Sequence, residues 1–162
     1  MIGIVVILAA CVMAGYTESH KLALRVDQLE KFLQFITNAK TEIRYSAVPV
    51  RQIVDKHREE MRLLSKCAEY CGVGMEFSAA WKRGVQEGTA GLGLKKEDLE
   101  VMKEFGEGLG ATDLDGQLAH CELYRHLVSS RLEEAQKEKG AKSKLYLMLG
   151  VSAGLAAALL LW

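Results

Sequence analysis

An all-α fold is predicted by three observations. Apolar residues recur at spacings of three, four and seven through most of the chain, no segment sustains an alternation of period two, and the single proline stands between two helical patterns. The 162 residues suffice for one domain with a real core. The 21 basic and 21 acidic residues cancel, so the overall balance does not point to nucleic acid. That balance conceals a segregation. Every Asp, Glu, Lys and Arg lies between Glu18 and Lys144, leaving the first 17 and the last 18 residues without a charged side chain. The expected organisation is therefore an N-terminal transmembrane segment (1–17), a helical domain (18–144) and a C-terminal transmembrane segment (145–162).

The first segment is expected to be an uncleaved membrane helix. A cleaved secretory signal needs a cationic stretch ahead of its apolar run, and none precedes this one. The pattern then continues without a break. Leu22, Val26, Leu29, Leu33, Ile36 and Ile43 form one apolar stripe with charges between them, so the first helix should run straight out of the membrane. Pro49 disfavours helix just before it and suits the first turn of a new one, which would use Val50, Ile53 and Val54. A third helix begins near Glu59 and stops at Gly72 and Gly74. A fourth, capped by Ser78, places Trp81 and Val85 one turn apart and inward. After a glycine loop, a fifth carries Leu99, Met102 and Phe105. The sixth starts beyond Gly110, with Thr112 as N-cap and Asp115 three residues on as the acidic half of a capping box. It carries Leu114, Leu118, Cys121, Val128, Leu132 and Ala135 into the tail, with Gly140 as a soft point.

Two glycine-rich stretches imitate nucleotide sites. Gly106, Gly108, Gly110 and Ala111 fit the loose dinucleotide pattern, but what precedes them is charged and helical where a buried strand is required. In the stretch 88–96, Gly93 is followed by Leu94, Lys95 and Lys96, whereas a phosphate loop needs Lys and then a hydroxyl directly after its glycine. Neither a nucleophile with a partner base nor a zinc-protease helix is present, so no catalytic or cofactor-binding residue is assigned. Cys67 and Cys71 have the spacing of two ligands on one helix face, and His57, His120 and His126 could be placed around them. A single close pair is less than the two ligand sets of a zinc signature, and buried apolar thiols are the expected state, with no metal.

The tail of 18 uncharged residues would make a helix of roughly 27 Å, just enough to cross a bilayer, with Tyr146 and Trp162 where interfacial aromatics are favoured. Lys21, Arg25 and Lys31 follow the first apolar segment, and Lys137, Lys139, Lys142 and Lys144 precede the second. Both flanks place the central domain in the cytoplasm and both termini across the membrane. In the tail, Gly150, Gly154 and Ala158 form a small-residue face of the kind that lets membrane helices approach closely.

Several phrases together carry a family resemblance. They are the leucine-patterned run ending in Glu42-Ile43-Arg44-Tyr45 with Pro49 beyond it, Ser78-Ala-Ala-Trp81, the phrase Leu109, Gly110, Asp113 and Gln117, and the Lys144-Leu145 tail with Leu149-Gly150. The chain resembles the stage III sporulation protein AB family of endospore-forming bacteria. Two departures are visible: Ser46 stands where a glycine is expected after the tyrosine, and the extreme N-terminus lacks an early basic residue. Members of that family are similar to the inner-membrane platform protein of type II secretion and type IV pilus systems, whose F domain the central region resembles.

The resemblance implies a non-enzymatic platform subunit in the mother-cell membrane around the engulfed forespore. It would partner a secretion-type sporulation ATPase, the other stage III sporulation A proteins and the lipid bilayer, and neither nucleic acid nor a small-molecule substrate. Gly110, Asp113, Gln117 and Trp81 are then motif residues with a structural or an interaction role. A partner surface is expected on the short helices farthest from the membrane, at Lys82 and Arg83, and on the loop bearing Lys95 and Lys96. The competing expectation is a membrane-anchored receptor or regulatory module with a metal or small-ligand pocket among Cys67, Cys71 and His120.

Overall fold

In a computed structural model of the chain, the backbone is described for residues 2–46 and 48–161, and side chains for 17–46, 48–142, 145, 148 and 149. The described residues form six helices and no strand: α1 (Ile2–Ser46), α2 (Val50–Lys56), α3 (Arg62–Gly72), α4 (Phe77–Gly88), α5 (Lys96–Gly108) and α6 (Leu114–Leu161). Among them no helix is long and apolar enough to cross a membrane. The segments read as spans fall largely on side chains outside that set, as does the tail face of Gly150, Gly154 and Ala158.

The two long helices form the frame. From residue 16 to residue 48 there is neither Gly nor Pro, so nothing interrupts α1 after the uncharged stretch. Gly140 does not interrupt α6 either, and no soft point forms there. The two run antiparallel, as their cross-links show: Arg25 meets Glu138, Gln136 meets Glu30, and Lys40 meets Glu122. Both chain ends therefore leave the bundle at the same side. The apolar stripe of α1 is wider than the six residues that predict it, because Phe32, Phe35 and Ala39 are fully buried with Leu29 and Ile36.

The short helices fill one flank of this frame, with α3 packed on α4, α4 on α5 and α5 on α6. Helix α3 can lie close to α4 because Gly84 and Gly88 face the Leu63 backbone, where a Cβ would come within 2.9 Å and 2.5 Å of it. Pro49 does stand at the start of α2, as the N-cap residue, with an extended backbone.

Three predicted starts are corrected. Helix α3 begins at Arg62 and not near Glu59, because the chain first makes a turn in which the Glu60 N–H donates to the His57 carbonyl, and Met61 is extended and buried. Helix α4 is capped by Glu76 and not by Ser78: the Glu76 carboxylate accepts from the Ala79 N–H at 3.1 Å, leaving Ser78 inside the first turn. Helix α6 is capped by Asp113 and not by Thr112, since Asp113 Oδ1 accepts from the Gly116 N–H at 3.0 Å. Asp115 is exposed and no box with Thr112 forms.

Candidate functional site

The junction between α5 and α6 brings Gly110, Asp113 and Gln117 together. After α5 ends, Leu109 is buried and Gly110 turns the chain with a φ of +86°, a conformation that favours glycine. The Gln117 side chain, itself buried, reaches back across the turn. Its Oε1 accepts from the Gly110 N–H at 2.8 Å and its Nε2 donates to the Thr112 carbonyl at 3.3 Å. Asp113 meanwhile caps the next helix. Gly110 also packs on Val50, so the same turn seats the start of α2.

Among the described residues Trp81 is the largest fully buried side chain. Its ring is surrounded by Phe35 at 6.0 Å, Phe105 at 5.9 Å, Phe77 at 6.0 Å and Phe32 at 6.3 Å between centroids. Its indole N–H donates to the Met102 carbonyl at 2.8 Å, which satisfies the one polar atom it buries. A Cβ at Gly106 would stand 2.1 Å from the ring, so α5 can approach the indole only where it has no side chain.

The charged centre of the domain was not singled out in the sequence. Arg25, on α1, is 1 % exposed and is engaged by Asp98 on α5 in a two-pronged pair, Nε to Oδ2 at 2.7 Å and Nη2 to Oδ1 at 3.0 Å. Asp98 Oδ2 also accepts from the Lys95 N–H at 2.9 Å, which ties the first turn of α5 to α1. From α6, Glu138 reaches Arg25 Nη1 at 3.0 Å, and Lys95 Nζ bonds both Glu134 and Glu138. The Lys95 hydrogen bonds hold both glutamates below the ordinary carboxylate range, against a burial contribution that acts the other way. One cluster thus clamps α1, α5 and α6. The signal available in the sequence was position: Arg25 lies three residues after Leu22 and four before Leu29, on the apolar stripe itself.

The four cations expected to form one partner surface are not brought together. Lys82 pairs with Glu107, and Arg83 sits over the Tyr70 ring at 5.4 Å. Lys95 is taken up by the clamp, and Lys96 pairs with Glu100 at the start of α5. Glu107 and Lys96 lie at opposite ends of α5, roughly 17 Å apart at 1.5 Å per residue. Helix α4 runs back along the bundle and carries the following loop to the end where Gly93 packs on the Lys21 carbonyl. That loop is therefore beside the segment leading to the uncharged N-terminal stretch, not at the far pole.

Nor do the proposed ligands converge. Cys67 is buried on α3, and burial, with Cys71 beside it, pushes its thiol strongly up. Burial likewise pushes Cys121 up to about 11. Protonated thiols of this kind are poor nucleophiles and poor ligands. His120 belongs to α6, where Nε2 faces the Phe105 carbonyl at 2.8 Å and therefore donates to it, and the ring stacks on Phe105 at 5.4 Å. Among the described residues no three His, Cys, Asp or Glu side chains are grouped to hold a metal ion. An open groove of about 400 Å³ does lie at the far pole, lined by Pro49, Val50, Glu76, Phe77 and Gly110 among others. What the side chains of the turn, the aromatic core and the clamp do is hold helices.

Comparison with known proteins identifies a family. The family described as Stage III sporulation protein AB matches the chain over residues 1–162. Stage III sporulation protein AB of Bacillus subtilis (strain 168) is 27 % identical over 168 residues, an alignment covering 99 % of this chain and 98 % of the relative. A solved structure of a Stage III sporulation protein AB superimposes with a TM-score of 0.65 at 22 % identity, covering 73 % of this chain and 98 % of its own, which shows a common fold. With the family's pattern matched from the first residue to the last, the chain belongs to the Stage III sporulation protein AB family.

Proposed function

We propose that the chain is a non-enzymatic platform subunit of a secretion-like channel complex between mother cell and forespore, where it links a cytosolic assembly ATPase to the membrane. The observation that carries this reading is the antiparallel course of α1 and α6, which sends both uncharged ends out of the same side of one helical domain. On the tail, Leu145 and Leu149 are 53 % and 56 % exposed, apolar surface of the kind a lipid phase would cover. The clamp at Arg25 joins both long helices to α5 just above those ends, so a load applied to the short helices is passed to both membrane segments together. In this reading the central domain is cytoplasmic, both termini lie across the mother-cell membrane, and Lys82, Arg83 and Lys96 remain exposed for a motor contact.

The test is a titration of the full chain in lipid nanodiscs with the purified secretion-type sporulation ATPase. Saturable binding that persists in detergent-free buffer is expected. Absence of binding, or labelling of a cysteine introduced at Glu133 by a membrane-impermeant maleimide added to intact cells, would exclude the platform reading.

A further inference from the structure

Residues 42–45, Glu-Ile-Arg-Tyr, end α1, and the fold uses two of them. Glu42 bonds Lys56 and His57, and Ile43 is buried in the core. Arg44 makes no hydrogen bond or ion pair among the described residues, and Tyr45 is 78 % exposed. Both line an open groove of about 560 Å³ between α1 and α6, together with Thr37, Lys40, Thr41, Glu122 and Arg125. The groove has its own charge. Three cations, Lys40, Arg44 and Arg125, face one carboxylate, a surplus of two in a chain whose 21 basic and 21 acidic residues cancel. That carboxylate is already engaged, because Arg125 and Lys40 both pair with Glu122 and hold its carboxyl down to about 2. Lys40 and Arg44 stand one turn apart on α1, where like charges repel. A ligand that brings carboxylates relieves that repulsion, and guanidinium groups suit carboxylates in particular because they can bind them in two-pronged fashion.

We propose that this groove docks an acidic segment of a partner protein, with its carboxylates on Arg44 and Arg125 and an apolar side chain on the Tyr45 ring. Position and charge select this occupant over two others. Tyr45 lies 28 residues along α1 from Thr17, the last residue of the uncharged stretch, or roughly 42 Å of helix, which puts lipid headgroups out of reach. A symmetric contact with a second copy would set one positive groove against another. The proposal does not depend on the ATPase assignment, since it concerns the chemistry of the bound segment and not the identity of the protein that carries it.

The experiment uses the full chain in zwitterionic nanodiscs and a fluorescein-labelled twelve-residue peptide rich in Glu and Asp with one Leu, read by anisotropy. A peptide with Lys in place of every acid is the control. The acidic peptide is expected to bind and the lysine peptide not to. Arg44→Glu should weaken binding about ten-fold and Tyr45→Ala should weaken it without changing its salt dependence. Arg44→Glu turns the repulsion from Lys40 into an attraction but loses a favourable charge at the end of α1, effects of opposite sign, so the variant's thermal midpoint should stay close to the parent's, which separates lost binding from lost folding. Unchanged affinity of the acidic peptide for Arg44→Glu overturns the proposal. So does flotation with phosphatidylglycerol vesicles, or sedimentation as a dimer, that is lost with the same substitution, since either outcome assigns the groove to lipid or to a second copy.

Discussion

Asp98 carries more of the domain than its residue type suggests. It is 1 % exposed, it receives both prongs of Arg25 and the Lys95 N–H, and it thereby fixes the first turn of α5 against α1. Removing one member of a buried pair strands the other, which costs about 3–5 kcal/mol. Asp98→Ala should fall at the lower end of that range, because Glu134 and Glu138 still face Arg25. Replacing both partners by leucine should cost less than the single change, since no buried charge is left. Thermal unfolding of the full chain in detergent, followed by far-UV circular dichroism, checks both, and equal losses in the single and double variants would contradict the account. Reading the sequence identified Trp81 as inward because it falls on a helical stripe with Val85. It used Arg25 only as a cation flanking the first uncharged segment, because a charged residue on an apolar stripe looks like an interruption of that stripe until its partner, 73 positions away, is known.

At the scale of elements, apolar periodicity located all six helices and missed the starts of α3, α4 and α6. Periodicity integrates over a dozen residues, whereas a start is decided by one side chain finding one N–H. Glu76 and Asp113 do so here in place of the hydroxyl residues Ser78 and Thr112. The turn that delays α3 is held in a similarly local way by His57. Its Nδ1 lies 2.6 Å from Glu60 and its Nε2 2.7 Å from Glu42, and Lys56 also pairs with Glu42. With a carboxylate at each nitrogen, both must donate, which requires the imidazolium. Burial beside Phe35 alone would lower the His57 pKa, but the bonds to Glu60 and Glu42 outweigh it and raise the value above the ordinary one. The sign follows directly: the stabilisation is fully present below the unfolded-state value of about 6.5 and is lost as pH rises through the higher folded value. Glu42 acts at the other side of the range. Burial there is outweighed by His57 and Lys56, its pKa is lowered, and its contribution disappears as pH falls through that lowered value. The thermal midpoint of the parent chain relative to His57→Gln should therefore decline from about pH 6.5 upward. A difference independent of pH would show that the turn does not rest on the charged ring.

For the whole molecule, the unbroken helical patterns beside both uncharged ends anticipated a long first and a long last helix, and α1 and α6 are those helices, set antiparallel. They did not anticipate the path between them, because the direction of α4 depends on contacts that no local pattern encodes. The Trp81 indole under Gly106 and the Gly84 and Gly88 seats on α3 are such contacts. They turn the loop after α4 toward Lys21. The same architecture places the stabilising interactions in one block. Every buried hydrophobic side chain among the described residues falls between Leu22 and Ala135, and the outermost link of the clamp is Glu138. Hydrophobic burial is the main favourable term in folding, so the information for the fold should reside in that block and not in the uncharged ends. A fragment of residues 17–142 is accordingly expected to be helical, to unfold in one cooperative thermal transition, and to respond to Asp98→Ala with the same loss as the full chain. Circular dichroism and calorimetry on the fragment decide the matter. If the fragment melts without a transition, or ignores Asp98→Ala, then α1 and α6 are held together by their uncharged ends, and the Arg25 clamp is a consequence of that pairing and not a cause of it.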